Sequence, residues 1–501
     1  MKRLKKMPLC SAVVVVSLVL SGCPGTKPRC QDSQAEECPD TPTSLLVKVS
    51  AERTSLRVNE STQLSAWGET SDGGSVELGP VTFDTSNKSI AEVDPATGLV
   101  TARGTGTATL TATSAKGQGS LTLKVEGGAV HRGTISHSET WYAKDNPHFV
   151  LDSVFVEGSS HPVLTIEAGV IVRFTAAMAL RIGVDEPGSL KAEGSQDRPI
   201  QFVADAQRPT EGFWESIYFG AQSGADSKLA HVNLSHCGSV HPWSRRNPCI
   251  VMKGNEAGGG ARPVLTDVLI TNGAGSGVVA EDDGAFGPGS ARVSVKDGGD
   301  FPFSFQPNYI HTLPQGGVLE GNTVNAVEVT DGKVVESQTW PDLGVPYVVA
   351  FYVDVEGSRS PVLTLPAGLT VRMTADSAFR IGKEQPGGLI AVGTEQKPII
   401  FTAHSDGANS GFWDGLLFYS QALMTSQLSH ARVEYAGNAN SGGSIVFEKD
   451  MGPIVTNTRL SHSGRCGFLC DADELPFITD FTVPKLGNSF EDIQDGNQCN
   501  P

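Results

Sequence analysis

Three groups of side chains in this sequence have types and spacing that chemistry could use. Glu281, Asp282 and Asp283 run together, and Asp471, Ala472 and Asp473 stand at the matching place 190 residues on. Paired carboxylates can serve as general acid and base, or offer oxygen ligands to calcium. A short acidic run at a turn is more often a solvated face, and that is the reading here: no catalytic residue, no metal ligand, and calcium as the one ion such acids could hold. The second group is a loop, where Cys237 and Cys249 flank Gly238–Pro248. Within it Trp243 offers a stacking face, while Arg245 and Arg246 offer forks for a carboxylate, so these three are the candidate ligand-binding residues, set against the plainer reading of a stapled insertion that holds no ligand. A Cys237–Cys249 disulfide is expected to staple the loop.

The third group recurs. Arg173 and Arg372, Arg181 and Arg380, the tryptophans 141, 214, 340 and 413, and His231 and His430 form pairs 199 residues apart. Arg173 alternates with Val172 and Phe174, so the arginines are expected on a solvated face rather than on a ligand. The tryptophans are expected to pack at ends and corners, and the histidines to be satisfied wall residues without metal partners.

The pairs belong to a longer repetition that must position them. Gly133 to His231 aligns without gaps on Gly332 to His430, with roughly two positions in five identical. Beyond the histidines, Pro263 to Asp283 aligns on Pro453 to Asp473 at an offset of 190. Within each copy, short β-rich runs such as 163–166, 170–174, 199–203, 217–219, 229–234 and 264–270 are broken by Gly, Asn or Pro. No run has the 3.6-residue period of a helix, so an all-β fold is expected, and the duplication favours a solenoid. The series Val163-Leu164-Thr165-Ile166, Gly188-Ser189-Leu190-Lys191-Ala192, Pro199-Ile200-Gln201-Phe202 and Gly212-Phe213-Trp214 resembles bacterial right-handed parallel β-helix proteins of the pectin-lyase-like superfamily. The resemblance covers most of residues 130–490 and implies about fifteen coils, a rod on the order of 70 Å long. The alternating aspartates, His-Gly and Arg-x-Lys of the polygalacturonases are absent, as are the arginine signatures of the pectate lyases.

Residues 45–126 read differently, as about seven alternating strands with turns at Asp72-Gly73-Gly74 and Thr97-Gly98. Ser89-Ile90-Ala91, Thr97-Gly98-Leu99-Val100-Thr101-Ala102 and Gly106-Thr107-Ala108-Thr109 resemble the bacterial immunoglobulin-like domain of group 2, with Phe83 where that family usually has tryptophan. Ahead of it, residues 1–22 have a basic start and an apolar run from Ala12 to Leu20, the pattern of a signal peptide. Leu20-Ser21-Gly22-Cys23 resembles the bacterial lipoprotein processing box, which implies cleavage before Cys23 and lipid on that residue. Residues 23–44 are a polar tether in which Cys30 and Cys38 are expected to close a small disulfide loop. Near the other end, Cys466 and Cys470 on one extended strand would lie about 13 Å apart and could not pair. One of them would then take Cys499, and Cys470–Cys499 is the pairing carried forward.

The expected domains are therefore 1–22, 23–44, 45–126, 127–331 and 332–501. With 38 Lys and Arg against 55 Asp and Glu, a net charge of −17 argues against nucleic acid as a partner. The expected protein is lipid-anchored in the bacterial envelope, at the outer membrane or cell surface. It acts as a scaffold or adhesin that binds polysaccharide without cleaving it. The alternative is a polysaccharide lyase or glycoside hydrolase on the same β-helix, and a third is a subunit of an envelope assembly.

Overall fold

Alternation of apolar and polar residues does most of the building. The structure, a computed structural model, describes residues 45–240, 246–255, 259–452, 454–470 and 479–499. The chain divides between Gly128 and Ala129 into two compact units.

The first unit is a pair of sheets. One is ordered Leu46–Ala51, Ser61–Glu69, Leu99–Ala102, Ala91–Val93, with Ser75–Val76 beside Ser61–Glu69. The other is ordered Ser55–Arg57, Gly117–Glu126, Gly106–Ser114, Val81–Thr85. In Gly117–Glu126 the buried residues are Leu121, Leu123 and Val125, every second one, as a half-buried strand requires. They pack with Leu56, Leu110, Val100 and Phe83 into one core. Phe83 also explains Gly98: at φ 72° that residue lies under the ring, and a Cβ there would fall 2.9 Å from Phe83 Cε2.

The second unit is a parallel β-helix. Each strand pairs in parallel with the one a coil further on, and the coils have three walls. The expected runs appear as Val163–Ile166, Ile171–Phe174, Ile200–Ala204, Ile217–Phe219, Lys228–Ser235 and Val264–Thr271. Along one wall the inward residues stack in register from Val154 through Leu180, Ile217, Ile250, Val278, Phe303 and Val327. The ladder continues through Tyr347, Val371, Phe401, Val433, Leu460 and Phe490. That wall has fourteen strands, Ala129–Ile135 first and Ser489–Ile493 last, and spans roughly 60 Å. Each buried rung contributes about 1.5–3 kcal/mol, so the order of apolar residues along the chain is itself the assembly instruction.

The two related stretches of sequence share this wall but do not enter it in the same phase. Gly133 stands on it, paired with Val154. Gly332 stands on the next wall, paired with Val353, and Tyr347 takes the place on the continuous wall. Between them the 3-10 turn Pro307–Thr312 packs against Gly332–Val334 on that next wall. Asn308 of that turn accepts the Val335 N–H at 3.0 Å through Oδ1 and receives Gln338 Nε2 on its carbonyl at 3.1 Å. The second stretch is thus rotated by one wall against the first.

Turns are held by repeated devices. The glutamate of each Val-Glu-Gly-Ser clamps the next coil: Glu157 accepts the N–H groups of Val184 and Asp185, both at 3.0 Å, and Glu356 accepts those of Glu384 and Gln385 at 2.6 and 3.3 Å. His231 and His430 are corner residues, not wall residues as expected. Both adopt φ 48°; His231 is followed at its corner by Asp267 at 54° and Arg292 at 53°, and His430 at its own by Asn457 at 48°. The left-handed bend lets the chain turn between two walls without a glycine, and short polar side chains tolerate it best.

Candidate functional site

One corner of the β-helix carries a stripe of rings and polar groups. It begins where Tyr347–Val349 ends and Tyr352–Val355 starts, which forces Phe351 outward at the bend. Corners of different coils are stitched together by backbone bonds. Ala378 N–H donates to Phe351 O at 3.1 Å, Asp376 N–H to Phe412 O at 3.3 Å, and Gly411 N–H to His462 O at 3.3 Å. Phe351 is 46% exposed, and its ring centroid lies 4.0 Å from that of Tyr352. The Arg380 guanidinium covers the Tyr352 ring at 3.9 Å and is gripped by Asp354 through bonds of 2.5 and 2.7 Å.

Further along, Asn438 Nδ2 donates both to Asp376 Oδ1 at 3.1 Å and to Asp414 Oδ1 at 2.5 Å. Burial raises the Asp414 carboxyl above its ordinary value, and neighbouring Asp376 adds to the rise. The stripe closes on Tyr435 and His462, stacked at 4.7 Å, with His462 Nδ1 2.8 Å from Asp492 Oδ2. The His462 bond holds the Asp492 carboxyl below its usual range. Ring faces stack on the apolar faces of sugars, and fixed amides and carboxylates bond to hydroxyls. Asp376 and Asp414, sharing one amide, are also the arrangement here closest to an acid and base pair. Among the described residues, no group of three or more His, Cys, Asp or Glu could hold a metal ion.

All of this stripe but Asp492 falls inside a recognisable module. Residues 344–470 match the pectate-lyase like beta helix domain. Residues 46–125 match the bacterial Ig-like domain of group 2. No curated protein matches the chain. Within the pectate-lyase like domain, the corner is not a repeat of the preceding stretch. At positions 199 lower, Phe351, Tyr352, Asp354 and Asp376 become Asp152, Ser153, Phe155 and Ala177. That contrast is readable in the sequence, but only by comparing substitutions between the stretches and not insertions alone.

The candidate ligand-binding loop is described only in part. Trp243 and Arg245 lie outside the described residues. Cys237 and Cys249 are joined, their Cα atoms 5.0 Å apart. Arg246 is not a free fork: its guanidinium bonds Asp300 at 3.1 Å and Glu328, and lies over the Phe301 ring at 5.3 Å. Ser304 Oγ donates to Glu328 at 2.5 Å and Ser276 Oγ to Asp300 at 3.2 Å. Glu328 faces a small apolar cluster of Phe301, Ala326 and Val348. Burial raises its carboxyl above the ordinary value, against the pull of Ser304 and Arg246. Arg246 is spent as a latch, because an unpaired carboxylate there would be costly.

Other expectations are corrected in the same way. Asp283 is not a solvated turn acid but is buried, accepting the N–H groups of Asn255 and Gly259 at 2.7 Å and Gly260 at 3.1 Å. Glu281 and Asp282 pair with Lys253 at 3.2 and 2.8 Å. Asp471, Ala472 and Asp473 lie outside the described residues. Arg181 is buried against Glu215 at 2.7 Å, and Arg380 is bound as above, so neither is solvated. Arg372 is exposed, and Arg173 is half-buried with its guanidinium 6.0 Å from the Phe149 centroid. The four repeated tryptophans are in the core itself, with Trp214 and Trp413 each donating its indole N–H to a backbone carbonyl at 2.8 Å.

Cys499 pairs with Cys466, not with Cys470, the Cα atoms being 6.0 Å apart. Cys470 stands in register with Phe447 and is buried in the core. Cys23, Cys30 and Cys38 lie outside the described residues.

Proposed function

We propose that this chain is a lipid-anchored bacterial surface scaffold that binds polysaccharide along the Phe351 corner and does not cleave it. The observation that carries this reading is Phe351, a large ring exposed beside Tyr352, with Asp376, bonded by Asn438, one coil further on. The match to a pectate-lyase like domain favours a carbohydrate-related role, and the immunoglobulin-like domain fits a spacer between anchor and β-helix. The lipoprotein box ending at Cys23 supports anchoring in the envelope. The acidic balance of the chain supports neither nucleic acid nor anionic lipid as partner.

Binding without turnover is favoured by the fate of the basic groups. Arg181, Arg246 and Arg380 are each closed on carboxylates, leaving them poorly placed to draw a proton from a sugar ring. The rival reading, a lyase or hydrolase, draws on Asp376 and Asp414, two carboxyls that share the Asn438 amide and of which burial raises Asp414. One experiment covers both. Full-length protein is titrated with a panel of acidic, neutral and amino polysaccharides while reducing ends and unsaturated products are followed. Binding that falls about tenfold or more in Phe351→Ala, without product, is the expected result, a loss of roughly 1.4 kcal/mol. Product formation that disappears in Asp414→Asn would establish the enzyme instead. Cys23→Ser should leave the membrane fraction; if it stays, and the wild type carries no acyl chain by mass spectrometry, the anchor reading is wrong.

A further inference from the structure

We infer that the glycan held at the Phe351 corner is neutral or carries free amino groups, and that uronate-bearing chains are excluded. This rests on the binding reading above and adds the charge of the ligand to it. The basis is which charges along the stripe are already matched. Arg380 is closed on Asp354 by two bonds. Lys333 reaches Glu356 at 2.7 Å and Glu384 at 3.1 Å. At the far end Arg459 is bound to Glu491, and Arg465 to Asp495 at 3.3 Å.

The carboxylates nearest the rings are in the opposite position. Asp376 is exposed and meets an amide, Asn438, rather than a cation. Asp331 accepts the Tyr352 N–H at 3.2 Å. Asp414, behind Asp376, is bound by the same amide, while Arg380 acts on it without a hydrogen bond among the described residues. The exposed guanidinia of Arg372 and Arg432 stand on the adjoining wall, on strands Thr370–Met373 and Ala431–Glu434 that lead up to the corner.

A sugar laid on Phe351 therefore has Asp376 one coil above it and Asp331 one coil below. Strand spacing sets each at roughly 5 Å, close enough for charge to decide acceptance. A uronate would bring like charge against both acids. A 2-amino sugar would bring an ammonium between them, and a neutral or acetylated sugar would meet acceptors for its hydroxyls. Complementarity of this kind sets which partner is accepted more than how tightly any partner binds.

The test uses full-length protein in detergent and three oligosaccharide series of equal length: glucosamine oligomers with free amines, the same oligomers N-acetylated, and oligogalacturonates. Calorimetric titration at low and high salt should rank them in that order, with about a tenfold gap between the first two that narrows as salt rises. Asp376→Asn should bring the amine series down to the level of the acetylated one, and Phe351→Ala should weaken both. If oligogalacturonates bind tightest, the charge inference is overturned while the binding reading stands. If none of the three binds, both are overturned.

Discussion

Val327 and Tyr347 are register partners on adjacent coils, and their pairing carries one wall of the β-helix past the point where the sequence starts again. The residue 199 positions before Tyr347 is His148, which pairs instead with Ala129 and Val172 on a different wall. Equivalent corners of the two stretches therefore face different directions. A ligand stripe on one is not continued on the other.

Tyr347 is the rung on which that continuity can be tested. It is fully buried, and its hydroxyl donates to Pro341 O at 2.6 Å. Tyr347→Ala should cost about 3–5 kcal/mol, whereas Tyr347→Phe should cost only about 1 kcal/mol through the lost hydrogen bond. Denaturation of the alanine variant, followed by hydrogen exchange on both sides of the join, should show strands Val327–Val329 and Thr370–Met373 losing protection together. Loss confined to one side would mean the coils are not coupled there.

The cysteines make a second prediction. Non-reducing peptide maps should recover Cys237 with Cys249 and Cys466 with Cys499. Breaking the first with a pair of serines should cost about 2–4 kcal/mol for a loop of this size. Burial pushes the Cys470 thiol up to about 12, with Asp450 and Asp480 adding to the rise. Alkylation at neutral pH should therefore spare Cys470 until denaturant is added; ready labelling of the native protein would contradict its placement.

Glu328 predicts a pH dependence. Its carboxyl is raised above the ordinary 4.5, so the folded state holds its proton more tightly than the unfolded state does. The sign follows from that: its contribution is fully present below pH 4.5 and is lost as pH rises through the raised value. Glu328→Gln lacks this loss, so its stability relative to wild type should improve as pH climbs from 4.5 toward neutrality. Urea denaturation at a series of pH values would show it. A constant difference between the two proteins would mean that Arg246 fully offsets the burial.

Much of the architecture was legible because it is written in local pattern. Apolar alternation placed Val163–Ile166, Ile217–Phe219 and Val264–Thr271 as strands, and the Thr97 to Ala102 run marked the immunoglobulin-like unit. The pattern also named the residues that matter to packing, Trp214 and Trp413 among them. What it could not fix was partnership across coils. Arg246 lies 82 positions from Glu328 in sequence, and nothing local to either foretells that a latch rather than a ligand takes the guanidinium. Cys466 and Cys470 lie four residues apart, and the choice between them for Cys499 depended on how the last coil folds over the one before.

Sequence alone determined that the chain makes an all-β molecule from an immunoglobulin-like unit and a β-helix, because strand formation and inward packing depend on residues two apart. Only the tertiary structure decided the phase of the second stretch. Gly332 falls on the wall next to the one on which Gly133 stands, and no property of Phe351, Asp376 or Asn438 records that shift. Their meeting at one corner is set by stacking of separate coils. The physical reason is that hydrogen bonding between coils fixes register without regard to distance along the chain.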